Sequence, residues 1–231
     1  MSKKLKNTEE LLTELADIFP DELSEKEAAR LHSIFSEFVA GFRLMLDKGP
    51  LVTVFGSSRI NSDSPLYTLG MDLGGRLAKN GFAVVTGGGP GLMEAVNRGA
   101  KEENGTSLGI NITIPDEQKA NIYASPSITI DHFFVRKVLL LKYSSAYLFL
   151  PGGFGTLDEL FETITLMQTK KIEPFPLVLL RSEFWEGLLD WLRTRLKREG
   201  YINGGDMNYI SIADSVEEAI EIINKSEPHI K

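Results

Sequence analysis

Seven short apolar runs, spaced along the chain from residue 51 onward, limit its fold more than any other feature. They are "LVTVFG" (51–56), "FAVVTGG" (82–88), "SLGINITIP" (107–115), "SITID" (127–131), "AYLFLPGG" (146–153), "PLVLL" (176–180) and "YISI" (209–212). Each is β-branched and nearly continuous in apolar character. That is the pattern of strands buried on both faces, as in a parallel sheet. Segments of helical spacing lie between them at 64–80, 90–104, 133–144, 156–169 and 183–198, and 215–225 closes the chain. This alternation predicts an α/β fold: a doubly wound, mostly parallel seven-stranded Rossmann-like sheet. The polar, glycine-rich "EGYINGGDMN" (199–208) reads as a surface loop.

Residues 1–48 read as an N-terminal helical extension and 49–231 as the Rossmann-like nucleotide-binding domain. "TEELLTELADIF" (8–19) puts Leu11, Leu12, Leu15, Ile18 and Phe19 on one helical face, and Pro20 ends it. Ser24 and Glu27 form an S-x-x-E capping-box pattern. Leu31, Ile34, Phe35, Phe38, Val39, Phe42, Met45 and Leu46 then recur at helical spacing until Gly49-Pro50 punctuates the chain. Such a stripe packs on the main domain or on a second subunit, so a homo-oligomer, dimer or larger, is expected.

The chain has 231 residues, 42% of them apolar, enough for one large domain with an appendage. A net charge of −7 argues against non-specific nucleic-acid or anionic-membrane binding but leaves room for a local site for a small anion. Without cysteine there is neither disulfide nor thiolate chemistry. "MSKKLKNTEE" lacks an apolar signal core, and no apolar run is long enough to span a bilayer, so a cytoplasmic protein is expected. His32, His132 and His229 are scattered and form no metal-ligand pattern, so neither metal nor cofactor is expected.

Ligands of open α/β sheets sit beyond the carboxyl ends of the strands, and three loops there are rich in chemistry. In "FGSSR" (55–59), Gly56 turns the chain, Ser57 and Ser58 offer hydroxyls and amides, and Arg59 offers a forked cation. An ordinary turn with an exposed arginine fits equally well. In "TGGGPGLMEAVNRGA" (86–100), Gly87 to Gly89 follow a strand and Pro90 suits the first turn of a helix, whose bare amides attract anions. It is neither a P-loop nor a G-x-G-x-x-G fingerprint. Glu94, one turn before Asn97, is either a ligand contact or a favourably placed charge at the helix start.

The third loop, "PGGFGTLDE" (151–159), has two readings. The amides of Gly153, Phe154, Gly155 and Thr156, with the Thr156 hydroxyl, can converge on a phosphate. Alternatively, Thr156 to Glu159 is a T-x-x-E capping box in which Glu159 bonds back to the Thr156 amide. One helix, "HFFVRKVLLLKYS" (132–144), carries Arg136 and Lys137 within strongly apolar surroundings. Buried, such a cation calls for a carboxylate or a bound phosphate.

Together "GGGPGLMEAVNRGA", the "RK" pair at 136–137 and "PGGFGTLDE" resemble the LONELY GUY (LOG) family. These are cytokinin-activating nucleoside 5′-monophosphate phosphoribohydrolases, also labelled lysine decarboxylase-like, with a P-G-G-x-G-T-x-x-E hallmark matched here from Pro151 to Glu159. The resemblance covers about residues 50–225. It implies that Arg136 and Glu159 are catalytic. It also implies a substrate-binding set of Gly56, Ser57, Gly88, Gly89, Met93, Glu94, Lys137, Gly152, Gly153, Phe154, Gly155 and Thr156. Pro90 and the long 101–135 stretch depart from the family pattern and bear on the base pocket.

The reaction so implied is hydrolysis of the N-glycosidic bond of a nucleoside 5′-monophosphate, AMP-like or N6-prenyl-AMP, to free base and ribose 5-phosphate. It needs a carboxylate near the ribose, a water, and help for the departing base. Some relatives only bind nucleotide or carry molybdenum cofactor, so a non-catalytic binding or carrier protein is the alternative. Pyridoxal chemistry would need a Schiff-base lysine with a partner for the ring nitrogen, and no such pair stands out.

Overall fold

A computed structural model describes residues 24–114 and 120–225. The 8–19 helix expected from the sequence lies outside them. The elements run α1 (Glu25–Met45), β1 (Leu51–Phe55), α2 (Pro65–Lys79), β2 (Ala83–Thr86), α3 (Leu92–Glu102), β3 (Ser107–Ile112), β4 (Ser127–Ile130), α4 (Phe133–Lys142), β5 (Ser144–Phe149), α5 (Phe154–Gln168), β6 (Leu177–Leu180), α6 (Ser182–Trp191), β7 (Ile210–Ala213) and α7 (Val216–Lys225). All seven apolar runs form strands, in one sheet of order β4-β3-β2-β1-β5-β6-β7, and every pair is parallel. α6 continues as a π-helical turn, Leu192–Lys197, and the loop after it closes with a 3₁₀ turn, Asp206–Tyr209.

Both faces of the sheet are covered, which is why its strands lack alternation. On one face Leu51, Phe55, Val85, Tyr147 and Phe149 pack with Met45 of α1, Leu139 of α4, Leu160 of α5 and Trp185 of α6. On the other, Val52, Val54, Val84 and Leu148 pack with Leu73 and Leu77 of α2, Val96 of α3 and Ile223 of α7. Each such side chain contributes about 1.5–3 kcal/mol on burial. The edge strands β4 and β7 are the ones with exposed positions.

The expected capping box opens α1: the Glu27 amide donates to Ser24 Oγ at 3.3 Å and the Ser24 amide to Glu27 Oε2 at 3.1 Å. Ile34, Phe38 and Phe42 face the core, whereas Leu31 and Leu46 are exposed. α1 also steadies α4. Glu37 accepts from the amides of Asp131 and His132 at 3.1 and 3.3 Å, and its Oε1 lies 3.1 Å from His132 Nδ1. A carboxylate on those amides suits the positive end of α4.

From β1 the chain builds outward through β2, β3 and β4, then returns to the other side of β1 with β5, β6 and β7. The reversal opens a crevice beyond the carboxyl ends of β1 and β5. Two main-chain bonds join the loops there: Leu150 N donates to Phe55 O at 2.9 Å and Ser57 N to Pro151 O at 3.1 Å.

Candidate active site

A cavity of about 570 Å³ occupies this crevice. Gly56 to Arg59 form one wall and Gly153 to Glu159 another. Gly87 and Met93 close a third side, and Arg136 enters from α4. The rest is apolar, from Phe55, Ile112, Ile114, Phe133 and Leu140. One end of the cavity therefore offers amides and cations, and its sides offer flat apolar contact.

The amide-rich wall is set by how α5 starts. The helix begins at Phe154, two residues earlier than its spacing suggests, with Gly153 as an N-cap that has no side chain to offer. The T-x-x-E capping box therefore does not form. Thr156 lies inside the first turn, and its amide donates to Gly153 O at 3.0 Å. That withdraws one of the four amides expected to face an anion. The remaining first-turn N–H groups have no intrahelical acceptor. A Cβ placed on Gly153 or Gly155 would meet nothing within 4 Å, so packing does not require glycine at either position. Their bareness leaves the main chain open to a ligand.

With the cap absent, Glu159 is left to the cavity. Its residue is 6% exposed, and Oε2 is buried without a hydrogen-bond partner among the described residues. Such an orphan costs about 1–3 kcal/mol and calls for a reason. Burial drives its pKa up to about 7. Lys137 and Arg136 oppose that rise, and Glu162 and Asp158 add to it.

Arg136 is held by main chain rather than by a carboxylate. Nε donates to Ile110 O at 2.8 Å and Nη2 to Gly87 O at 3.1 Å. Burial lowers its proton affinity, and the field of Glu159 works against that. A Cβ on Gly87 would collide with the guanidinium. The glycine is what lets the arginine reach the β2 loop. Of the two partners expected for this cation, a carboxylate or a bound phosphate, no carboxylate among the described residues bonds to it; two carbonyls hold one edge of the fork, with the group still lining the cavity.

The β2 loop is fixed from below. Asn97 is fully buried; its Oδ1 accepts from Thr86 Oγ1 at 2.5 Å and from Asn121 Nδ2 at 3.1 Å, and its Nδ2 donates to Ser107 Oγ at 2.8 Å. Asn121 in turn donates Nδ2 to Gly89 O at 2.9 Å. Helix α3 starts at Leu92 with Gly91 as N-cap, so Pro90 precedes the cap instead of occupying the first turn.

Of the expected site residues, Gly56, Ser57, Met93, Arg136, Gly153, Phe154, Gly155, Thr156 and Glu159 share the cavity. Gly88, Gly89, Glu94, Lys137 and Gly152 are not among its lining residues. Glu94 instead accepts from the Tyr67 hydroxyl at 2.9 Å, and that hydroxyl is pushed up to about 12 by burial and by the carboxylate. A Cβ on Gly152 would collide with the Thr156 side chain, so packing by itself requires glycine there. Lys137 Nζ contacts carboxylates of α5: Asp158 at 2.8 Å, Glu162 at 2.6 Å and Glu159 at 3.6 Å. Sequence reasoning missed the apolar wall. Ile112 ends β3 and Ile114 follows it, so the rule of carboxyl-end loops applies to them as well.

Among the described residues no cluster of His, Cys, Asp or Glu has metal-holding geometry, and no helix is long and apolar enough to cross a membrane.

A family model described as possible lysine decarboxylase matches residues 93–223. The chain is similar to the cytokinin riboside 5′-monophosphate phosphoribohydrolase of Mycobacterium tuberculosis, at 32% identity over 162 residues, 67% of this chain and 83% of that one. Among solved structures, a structural-genomics X-ray structure is 30% identical with a TM-score of 0.58, covering 76% of this chain and 99% of its own. The molybdenum cofactor binding protein of Rippkaea orientalis shares the fold at 23% identity and a TM-score of 0.58, covering 78% of this chain and 98% of its own.

Proposed function

Because the chain belongs to the LONELY GUY (LOG) family, whose family model carries the description possible lysine decarboxylase, we propose that it hydrolyses the N-glycosidic bond of a nucleoside 5′-monophosphate, releasing the base and ribose 5-phosphate. The relative from Mycobacterium tuberculosis is named for that reaction on cytokinin riboside 5′-monophosphate. One observation carries the reading: a buried carboxylate with an unpartnered oxygen, Glu159, lines the same cavity as the open amides of Gly153 to Gly155 and the Arg136 guanidinium.

The proposed chemistry follows from these positions. The first-turn amides of α5, the Thr156 hydroxyl and Arg59 hold the phosphate. That remote binding fixes the sugar over Glu159. As the glycosidic bond lengthens, positive charge grows on the ribose, and ionised Glu159 stabilises it or takes the proton of the attacking water. The base lies against Phe133, Met93 and Ile112, and Arg136 assists its departure.

A pure carrier would leave Glu159 as a helix cap, and the cap is not formed, which favours catalysis over the molybdenum-cofactor alternative. Decarboxylation of lysine through a Schiff base needs a neutral amine. No lysine is among the cavity-lining residues. Burial pulls the Lys137 ammonium towards neutrality, but its bonds to Asp158 and Glu162 outweigh this and hold its proton affinity above the usual lysine value. The exposed Phe133, Phe134, Val138 and Phe161 support the expected homo-oligomer, which sedimentation tests. The reaction itself is tested by incubating the purified protein with AMP, GMP, CMP and isopentenyl-AMP and separating the products. Free base with ribose 5-phosphate is expected from at least one of them; intact nucleotide throughout would overturn the reading.

A further inference from the structure

Lys137 stands next to Arg136 in the chain, but its amino group does a different job. Three carboxylates of α5, at positions 158, 159 and 162, converge on its one ammonium. If all three ionise, one positive charge faces three negative ones. The near contacts go to Asp158 and Glu162, whose side chains are 59% and 29% exposed. Glu159 is 8% exposed and takes the longest contact. Water screens the two outer groups and scarcely reaches the inner one, so charge changes in the outer pair are felt at Glu159 through a poorly screening interior.

We propose that Lys137 and Glu162, which do not line the cavity, and Asp158, which does, form a charge-setting cluster of positioning residues that govern how much negative charge Glu159 carries. This rests on Glu159 being the working carboxylate of the proposed reaction. The cluster works by a balance of signs. Lys137 draws Glu159 towards the ionised form, and Asp158 and Glu162 both push it back and compete for the ammonium. The other charged group acting on Glu159 is Arg136 on α4, and Arg59 on the loop after β1 lines the same cavity. The surrounding wall from β3 and α4, including Ile112, Ile114, Phe133 and Leu140, is uncharged. A lysine holding two competing anions makes the charge on Glu159 adjustable, as a single tight ion pair would not.

The test uses two substitutions of opposite sign in the full-length protein. Lys137→Met removes the attracting charge, and Glu162→Gln removes a repelling one and releases a donor. Glu159 is titrated without substrate by its carboxyl infrared band, assigned by subtracting Glu159→Gln, and kcat/KM for AMP is measured over the same pH range. The parent midpoint is expected near 7. Lys137→Met should move it up by about one unit, which lowers kcat/KM at pH 7 about fivefold, with recovery at higher pH. Glu162→Gln should move it down, and Lys137→Arg should leave it in place. The substrate phosphate also titrates near pH ~6, but equally for every variant, so differences between variants report the protein. Shifts in one common direction, or none, overturn the proposal. If Lys137→Met does not fold, the downward shift in Glu162→Gln decides alone. Opposite infrared shifts without any base release would uphold the cluster and overturn the assigned reaction.

Discussion

Lys137 Nζ lies 3.6 Å from Glu159 Oε1, near enough to act as a charge and too far to be a hydrogen bond. The other oxygen of Glu159, Oε2, is buried with no partner among the described residues, and the charge of the group is decided mainly by burial.

That burial gives stability a defined pH dependence. The folded-state value is near 7 against an ordinary 4.5. Below pH 4.5 both folded and unfolded chains hold the proton and nothing is lost. Between those values the unfolded chain ionises freely and the folded one resists, so stability falls as pH rises; above 7 the whole penalty is present. The difference corresponds to at most about 3 kcal/mol. Glu159→Gln should therefore gain stability over the parent as pH rises from 4.5 to 8, in urea titrations at each pH. A stability difference independent of pH would show that the carboxylate is not desolvated.

Gly155 separates binding from folding. A Cβ there meets nothing in the free protein, and alanine is favoured over glycine in a helix by up to about 1 kcal/mol. Gly155→Ala should hold or raise the melting temperature by about 2–4 °C while weakening nucleotide monophosphate binding at least tenfold, read by calorimetry. Unchanged affinity would mean that the ligand does not approach these amides.

Asn97 is expected to behave in the opposite way. Asn97→Ala would strand Thr86, Ser107 and Asn121, which share its amide, at a cost of about 2–4 kcal/mol. The melting temperature should fall by about 5–15 °C, and nucleotide affinity should fall with it because Asn121 also holds Gly89. A large loss of stability at full affinity would separate this network from the site.

How much of this could be read in advance depended on distance along the chain. Runs such as Leu51–Phe55 reveal themselves because both their faces are covered and every position is buried. The α5 start misleads because a capping box is a local pattern, whereas Gly153 takes the extended cap conformation three residues ahead of the expected first helical position. The clustering of Arg59, Arg136 and Glu159 was legible in part, since each follows or flanks a strand end. The partners of Arg136 were not: they are carbonyls at positions 87 and 110, far apart in the chain, and a carbonyl carries no mark of side-chain type. The same holds for Lys137, whose type suits phosphate but whose helical position turns it onto α5. The apolar wall joins Phe55, Ile112 and Phe133, which only the parallel sheet order brings together.

The most direct measurement is adenine release from AMP, followed by chromatography for the parent and for Glu159→Gln at matched folded concentration. The parent should yield adenine and ribose 5-phosphate in equal amounts, and Glu159→Gln should still bind AMP but lose release at least a hundredfold. Release by Glu159→Gln at the parental rate would remove Glu159 from the chemistry and leave the cavity as a nucleotide-binding site alone.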